Sequence, residues 1–233
     1  MVVSRIKVGT TTVSLKRKRF YLFRGGFDVN RKLVDRLKTA IALSRDCYYC
    51  QAHASAEFMG WLKDCETPHC REITADDIAK VPEFQAAYQK GTASSTFSKK
   101  PELAQTWLVT NLEEPFRVGF YGERQKEIKE LLNGLAAPIQ SSMTNASGIS
   151  ATFLNIPLQP AGSASTEKFL LSNLVPIEVR ESKKSFVWAC EVELGGTKKT
   201  QTLEASDVSK LVKKCEVIVR ELPDCTAGTC TQK

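Results

Sequence analysis

The sequence predicts an α+β protein: a zinc-stabilised N-terminal module joined to a mixed helix and sheet body. Three observations carry this expectation. Stretches such as SFVWACEVEL (185–194) alternate apolar residues with period two, as a strand does. Others, such as ERQKEIKELLNGL (123–135), repeat them at three-four spacing, as a helix does. A single window, CYYCQAHASAEFMGWLKDCETPHC (47–70), holds four of the eight cysteines and both histidines. Over 233 residues, 42% hydrophobic and 25% charged residues exclude a disordered chain and leave room for one large core or two small ones.

Taken in order, IKVGTTTVSL and RFYLF read as strands on either side of the KRKR run, since β-branched and aromatic residues suit a pleated surface. Gly25–Gly26 breaks the pattern, and Asp28 or Asn30 caps a helix reaching about Leu43. Its apolar stripe is Leu33, Val34, Leu37 and Ile41, which leaves Arg31, Lys32, Arg36 and Lys38 largely on other faces. AEFMGWLK is a helical turn inside the cysteine window. Thr74 and Asp77 form a capping-box-like helix start, interrupted near Pro82. GTASSTFSKK (91–100) is a polar loop, and Pro101 opens the helix PELAQTWLV. FRVGFY (116–121) reads as a strand, and ERQKEIKELLNGL as a helix. Residues 137–168 are rich in Ser, Ala, Gly and Pro; ATFLNI is a strand within a linker-like segment. FLLSNLVPIEVR and SFVWACEVEL are further strands, with Gly195–Gly196 predicted to turn the second into KKTQTL as a hairpin. ASDVSKLVKK is a short helix and CEVIVRE a closing strand. The expected organisation is 1–45 as a basic strand and helix segment, 46–72 as the zinc module, 73–136 as mainly helical, 137–168 as linker-like, and 169–233 as a small α/β unit.

Cys47-x2-Cys50 and Cys65-x4-Cys70, separated by fourteen residues, supply four thiolates. Zn2+ takes such ligands in a closed tetrahedron, which predicts a structural site on Cys47, Cys50, Cys65 and Cys70. His69 or His53 could replace one ligand, and buried thiols or two disulfides are the competing readings. Cys190 and Cys215 are expected in the core. Cys225 and Cys230 repeat the four-residue gap and are expected in a tail, or in a second metal site with Cys190 and Cys215.

The formal net charge is +7, and it is unevenly spread. Residues 1–45 hold twelve Lys and Arg against Asp28 and Asp35, a local +10 that leaves −3 for the rest. Such asymmetry predicts a polyanion partner, RNA and/or DNA, alongside other protein subunits. The candidate phosphate contacts are Lys16, Arg17, Lys18, Arg19, Arg24, Arg31 and Lys32, with Lys99 and Lys100 from a second loop. An acidic protein neighbour accounts for the same charge. No apolar stretch reaches membrane-span or signal-peptide length, which predicts a cytoplasmic protein without membrane association.

Catalytic patterns are sparse. The sequence has no H-E-x-x-H, G-x-S-x-G, P-loop or deaminase motif. His53 and Glu57, four residues apart, are the one candidate acid–base pair, provided that both lie on one helix. The expected function is therefore a zinc-containing nucleic-acid-binding protein, a non-catalytic subunit of a ribonucleoprotein. The alternatives are a protein-interaction adaptor with a basic face, and a nucleic-acid-processing enzyme using His53 and Glu57.

No motif is specific enough to name a family. In layout, CYYC…CETPHC and the general basicity are similar to the small zinc-bearing subunit of type IV CRISPR effector complexes. The resemblance implies an N-terminal four-cysteine finger and a basic body beside RNA and DNA. The four-residue gap and the strongly basic lead-in depart from it. A ribosomal or phage-encoded zinc protein fits the layout equally well.

Overall fold

The computed structural model describes residues 5–8, 11–14, 17–41, 43–62, 68–144, 152–158, 166–179, 182–195, 200–204, 212–223 and 225; for 5–8, 11–14, 70, 200–204, 212 and 213 it describes the backbone alone. The chain divides into two compact units, one of residues 1–42 and 128–222, the other of 43–127 and 223–233.

The first is a sheet unit. Strands β1 (Arg5–Val8) and β2 (Thr11–Ser14) form an antiparallel ribbon. Then come β3 (Arg19–Arg24), helix α1 (Arg31–Thr39), β4 (Gln140–Met143) and β5 (Thr152–Pro157). They are followed by β6 (Thr166–Ser172), β7 (Ile177–Val179), β8 (Lys184–Gly195), β9 (Thr200–Glu204) and β10 (Val212–Glu221). The main sheet is antiparallel with strand order β10-β8-β6-β3-β4, and β7 also pairs with β8. β9 pairs with β5 rather than closing a hairpin on β8, whose sides are taken by β10 and by β6 and β7.

Both faces of this sheet are buried. On one, Phe186, Trp188, Cys190, Val192 and Leu194 of β8 pack with Phe20, Leu22, Phe169 and Leu171, and with Phe153 and Ile156 of β5. On the other, Val187 and Ala189 pack with Phe23, Leu170 and the α1 stripe Leu33, Val34 and Leu37. Two-sided burial is why RFYLF is a continuous apolar run rather than an alternation. It also explains Glu191. Period two puts that residue on the face away from Trp188, which the sequence pattern reads as solvent, yet it is 8% exposed.

The second unit is helical: α2 (Arg45–Gln51), α3 (Ala56–Leu62), a 3-10 turn (Pro68–Cys70), α4 (Ala75–Lys80), α5 (Pro82–Thr92), α6 (Pro101–Asn111), a π-helical turn (Pro115–Gly119) and most of α7 (Phe120–Leu131). α4 starts with a complete capping box. The Thr74 hydroxyl accepts from the Asp77 N–H at 3.2 Å, and the Asp77 carboxylate accepts from the Thr74 N–H at 2.9 Å. Pro82 then opens α5 at its first turn, where no N–H is missed. The core is aromatic. Phe58 makes edge contacts with Tyr49, Phe84 and Phe116 at ring distances of 5.5, 5.7 and 5.3 Å, and Trp61 meets Phe84 at 4.8 Å. Each such pair adds about 1 kcal/mol beyond area burial. FRVGFY is helical rather than a strand for the same reason: Phe116 and Phe120, four residues apart, both enter this cluster. Gly119 is needed between them, since a Cβ there would overlap the Tyr48 hydroxyl.

The structure overturns the zinc module. Cys47 and Cys50 lie on α2, not in a metal-gripping turn. Cys47 is fully buried and disulfide-bonded to Cys225, with Cα atoms 4.9 Å apart; Cys50 is disulfide-bonded as well. A sulfur held in a disulfide is no thiolate and cannot serve as a zinc ligand. Cys65 and the Cys70 side chain lie outside the described residues. Among the described residues no group of three or more His, Cys, Asp and Glu could hold a metal ion, so neither the Zn2+ site nor the second metal site on Cys190, Cys215 and Cys225 forms. Cys190 and Cys215, opposite each other on β8 and β10, are disulfide-bonded; Cys190 is buried as expected, but Cys215 is exposed. Cys230 lies outside the described residues. The α+β class stands without its zinc, and the four-cysteine finger behind the CRISPR-subunit resemblance is absent. No helix among the described residues is long and apolar enough to cross a membrane.

Candidate interaction site

The turn from Gly25 to Asn30, between β3 and α1, is a closely held surface feature of the sheet unit. Gly25 has φ +84°, the left-handed region that glycine enters at no steric cost, and its N–H donates to the Lys168 carbonyl at 2.8 Å. At Gly26 a Cβ would overlap the Glu191 carboxylate, which would have to move aside. Asn30 precedes α1 but does not cap it forward. Its buried amide Nδ2 reaches back to the carbonyls of Arg24, Gly25 and Gly26 at 3.0, 2.9 and 3.1 Å. The Gly26 carbonyl also accepts the Asn30 N–H at 3.1 Å, so Asn30 closes the turn with both its backbone and its side chain.

Glu191 fastens the turn from the sheet side. Its Oε2 accepts from the Phe27 N–H at 2.9 Å and its Oε1 pairs with the Lys168 ammonium at 3.0 Å. The Phe27 N–H, helped by Lys168, holds this carboxyl below the ordinary glutamate range against the opposing effect of burial. The Lys214 ammonium sits 4.7 Å from the centre of the Phe27 ring, a cation–π contact.

What the turn presents is Asp28, Val29, Arg31 and Lys32, all exposed; Val29 is 70% exposed. Arg31 and Lys32 open α1, whose first turn contains no acid. Cations at the positive end of a helix are disfavoured by about 0.3–1 kcal/mol each. The site therefore pairs an apolar tip with two cations at the start of α1, with Asp28 on the turn itself and Asp35 one helical turn on from Arg31. It offers an anionic and apolar ligand a preformed surface.

The other sequence-predicted cations divide between the two units. Lys16 lies outside the described residues. Arg17, at φ +53°, and Lys18 form the turn before β3, where the Lys18 N–H donates to Thr144 Oγ1 at 2.7 Å. Arg19 donates to Ser141 Oγ at 2.9 Å. β3 places the Arg19 backbone about 17 Å from that of Arg24, by five steps of strand rise. Arg24 itself is committed, to Glu167 and to the Pro157 carbonyl at 2.8 Å. Others of the basic run are similarly used: Lys38 pairs with Glu216 at 2.7 Å, and Arg36 donates to the carbonyls of Leu131 and Asn133. Lys99 and Lys100 are exposed in the helical unit, in the turn before α6. His53 and Glu57 are both exposed but not on one helix. His53, at φ +60°, lies between α2 and α3, so the one-turn spacing needed for an acid–base pair does not arise.

Sequence reasoning missed Val29, Glu191 and Lys214. The GG dipeptide marked the turn, and an acid within the apolar run of β8 was the available sign of a buried carboxylate. Comparison with family models, with curated proteins and with solved structures finds no match for this chain.

Proposed function

We propose that this chain is a non-catalytic, disulfide-braced binding protein that docks an acidic, partly apolar segment of a protein partner on the Gly25–Asn30 turn. The observation that carries the reading is the pairing of a 70% exposed Val29 with Arg31 and Lys32 on a turn held by Asn30 and Glu191. A rigid surface loses little entropy on binding, and a carboxylate near the first turn of α1 offsets the unfavourable placement of the two cations.

A protein ligand is preferred to nucleic acid for two reasons. Arg24 and Lys38 are ion-paired and Arg36 is bonded to carbonyls, which reduces the charge available to phosphates. Disulfides at Cys47, Cys50, Cys190, Cys215 and Cys225 also fit an oxidising compartment better than the cytoplasm expected from the sequence.

The test is titration of the intact, oxidised chain with a synthetic peptide of alternating Glu and Leu, with single-stranded RNA, and with duplex DNA. The peptide is expected to bind. R31E/K32E and V29D should each weaken it at least about tenfold, the usual scale for losing a charged or apolar anchor. Failure of the peptide to bind at low salt, or binding indifferent to both variants, overturns the reading. RNA binding that is lost on replacing Arg17, Lys18 and Arg19 would assign the basic run to nucleic acid instead.

A further inference from the structure

The two edges of the main sheet differ. β4 is four residues long and polar, QSSM. β10, at the other edge, is ten residues long with no proline, and its pairing is irregular only between Val212 and Lys214. Among the described residues β10 pairs with β8 alone. Proteins ordinarily blunt such an edge with proline, bulges or unmatched charge, because its unpaired N–H and C=O groups template another strand.

The side chains of β10 are ordered by face. Val217 and Val219 lie opposite Trp188 and Phe186 of β8 and are 49% and 48% exposed. Glu216, Ile218 and Arg220 lie on the other face, beside α1. There Glu216 pairs with Lys38 and Arg220 donates to the Leu37 carbonyl at 2.6 Å. Arg220 has no carboxylate partner among the described residues, and burial draws its pKa below the ordinary arginine value.

We propose that β10 is a self-pairing edge: two copies of this chain join their β10 strands antiparallel, with Ile218 opposite Ile218, into one continuous sheet. Two-fold symmetry preserves the faces, so directly opposite residues must have the same parity. The Ile218 register sets Val217 against Val219 of the second copy, and Val219 against Val217, making one apolar cluster of four valines. On the other face it sets Glu216 against Arg220 of the second copy, twice. The alternative centred on Val217 instead opposes Lys214 to Arg220, a like-charge pair. The sequence KCEVIVRE is thus complementary to itself in one register and repulsive in its neighbour. The partner implied is a second copy of this chain, and the inference is independent of the Gly25–Asn30 turn.

The test is sedimentation velocity of the intact, oxidised chain across a concentration series. A dimer of twice the 25.9 kDa chain mass is expected. V217K/V219K changes only half-exposed positions and would bring four lysines together on one face, so it should leave monomer with an unchanged far-ultraviolet circular dichroism spectrum. E216R and R220E should each raise the dissociation constant at least about tenfold, and E216R/R220E should bring it back towards wild type, because every Glu–Arg opposition is then restored in reverse. A chain that stays monomeric at every concentration overturns the proposal. So does a dimer unmoved by V217K/V219K, or a double charge swap that fails to restore what the single reversals lose.

Discussion

The sheet unit and the helical unit bury their cores by different means. In the sheet unit order comes from long-range strand pairing: β3, from near the start of the chain, lies between β4 and β6, more than a hundred residues away in sequence. Its one disulfide among described residues, Cys190–Cys215, joins strands already paired in register. In the helical unit most helices are short, below the length at which an isolated helix holds in water, and packing must supply their stability. That packing is a cluster of aromatic rings, with Cys47–Cys225 closing a sequence separation of 178 residues. The contrast teaches where each unit is vulnerable: the sheet to faults in register and in the turn that leaves it, the helices to loss of a ring or of the staple.

The largest effect should come from Phe58→Ala. Phe58 is fully buried and touches Tyr49, Phe84 and Phe116, so truncation should cost about 4 kcal/mol, read as a lowered midpoint in denaturant unfolding. The contrast between the units predicts that exchange protection of β6 and β8 amides survives in this variant; simultaneous loss would show one cooperative unit.

Cys225→Ser comes next. Removing this disulfide should cost about 3 kcal/mol, the usual scale for a native disulfide, with the helical unit losing protection first. If the sheet unit melts first on losing this staple, the assignment of the disulfide to the helical core fails.

In the sheet unit, Gly26→Ala should cost about 2 kcal/mol, since the methyl group must displace the Glu191 carboxylate from the Phe27 N–H. It should disturb the turn while leaving the Phe58 cluster intact, as aromatic near-ultraviolet dichroism would report. Because Glu191 is held below its unfolded value, its contribution is fully present above the unfolded pKa and is lost as pH falls through the folded one. Acid titration of stability should therefore have a smaller drop below about pH 4.3, the ordinary glutamate value, in Glu191→Gln than in wild type. An identical acid limb would remove Glu191 from the turn.

The smallest effect belongs to the α4 cap, where Thr74→Ala should cost about 1 kcal/mol. Burial pushes the Asp77 carboxyl up, but the Thr74 N–H and hydroxyl outweigh it and hold it low, so this contribution too fades as pH falls through the folded pKa. A cost well above this would mean that α4 supports more of the helical core than its lack of buried residues suggests.

Elements whose signal is local were legible in the residues. The Thr74–Asp77 box, the proline start of α6, the α1 stripe at Leu33, Val34 and Leu37, and the β8 alternation each depend on neighbours within a few positions, whereas Ile41, expected in that stripe, lies beyond the end of α1 and is exposed. FRVGFY misled because alternating apolar residues satisfy period two while Phe116 and Phe120 satisfy period four; only the presence of the Phe58 cluster decides between them. Of the candidate site, the Gly25–Gly26 break and the cations Arg31 and Lys32 were visible. The role of Glu191, 164 positions from its partner Phe27, was not.

By itself the sequence determined the α+β class, the starts of α4 and α6, the most apolar strands and the concentration of positive charge before residue 45, because these follow from spacing and composition along the chain. It could not determine what the cysteines do. C-x2-C followed by C-x4-C fits a zinc knuckle, two buried thiols or a pair of disulfides equally well by spacing. The choice fell to tertiary structure, which brings Cys225 within disulfide reach of Cys47 across 178 residues and sets Cys215 opposite Cys190 by strand register. Tertiary structure likewise dispersed the basic run, because β3 separates its two ends and Glu167 and Glu216, remote in sequence, pair with Arg24 and Lys38. Local pattern sets which elements form; the partner of a sulfur or a charge is set by which distant residue the fold carries to within a few ångströms of it.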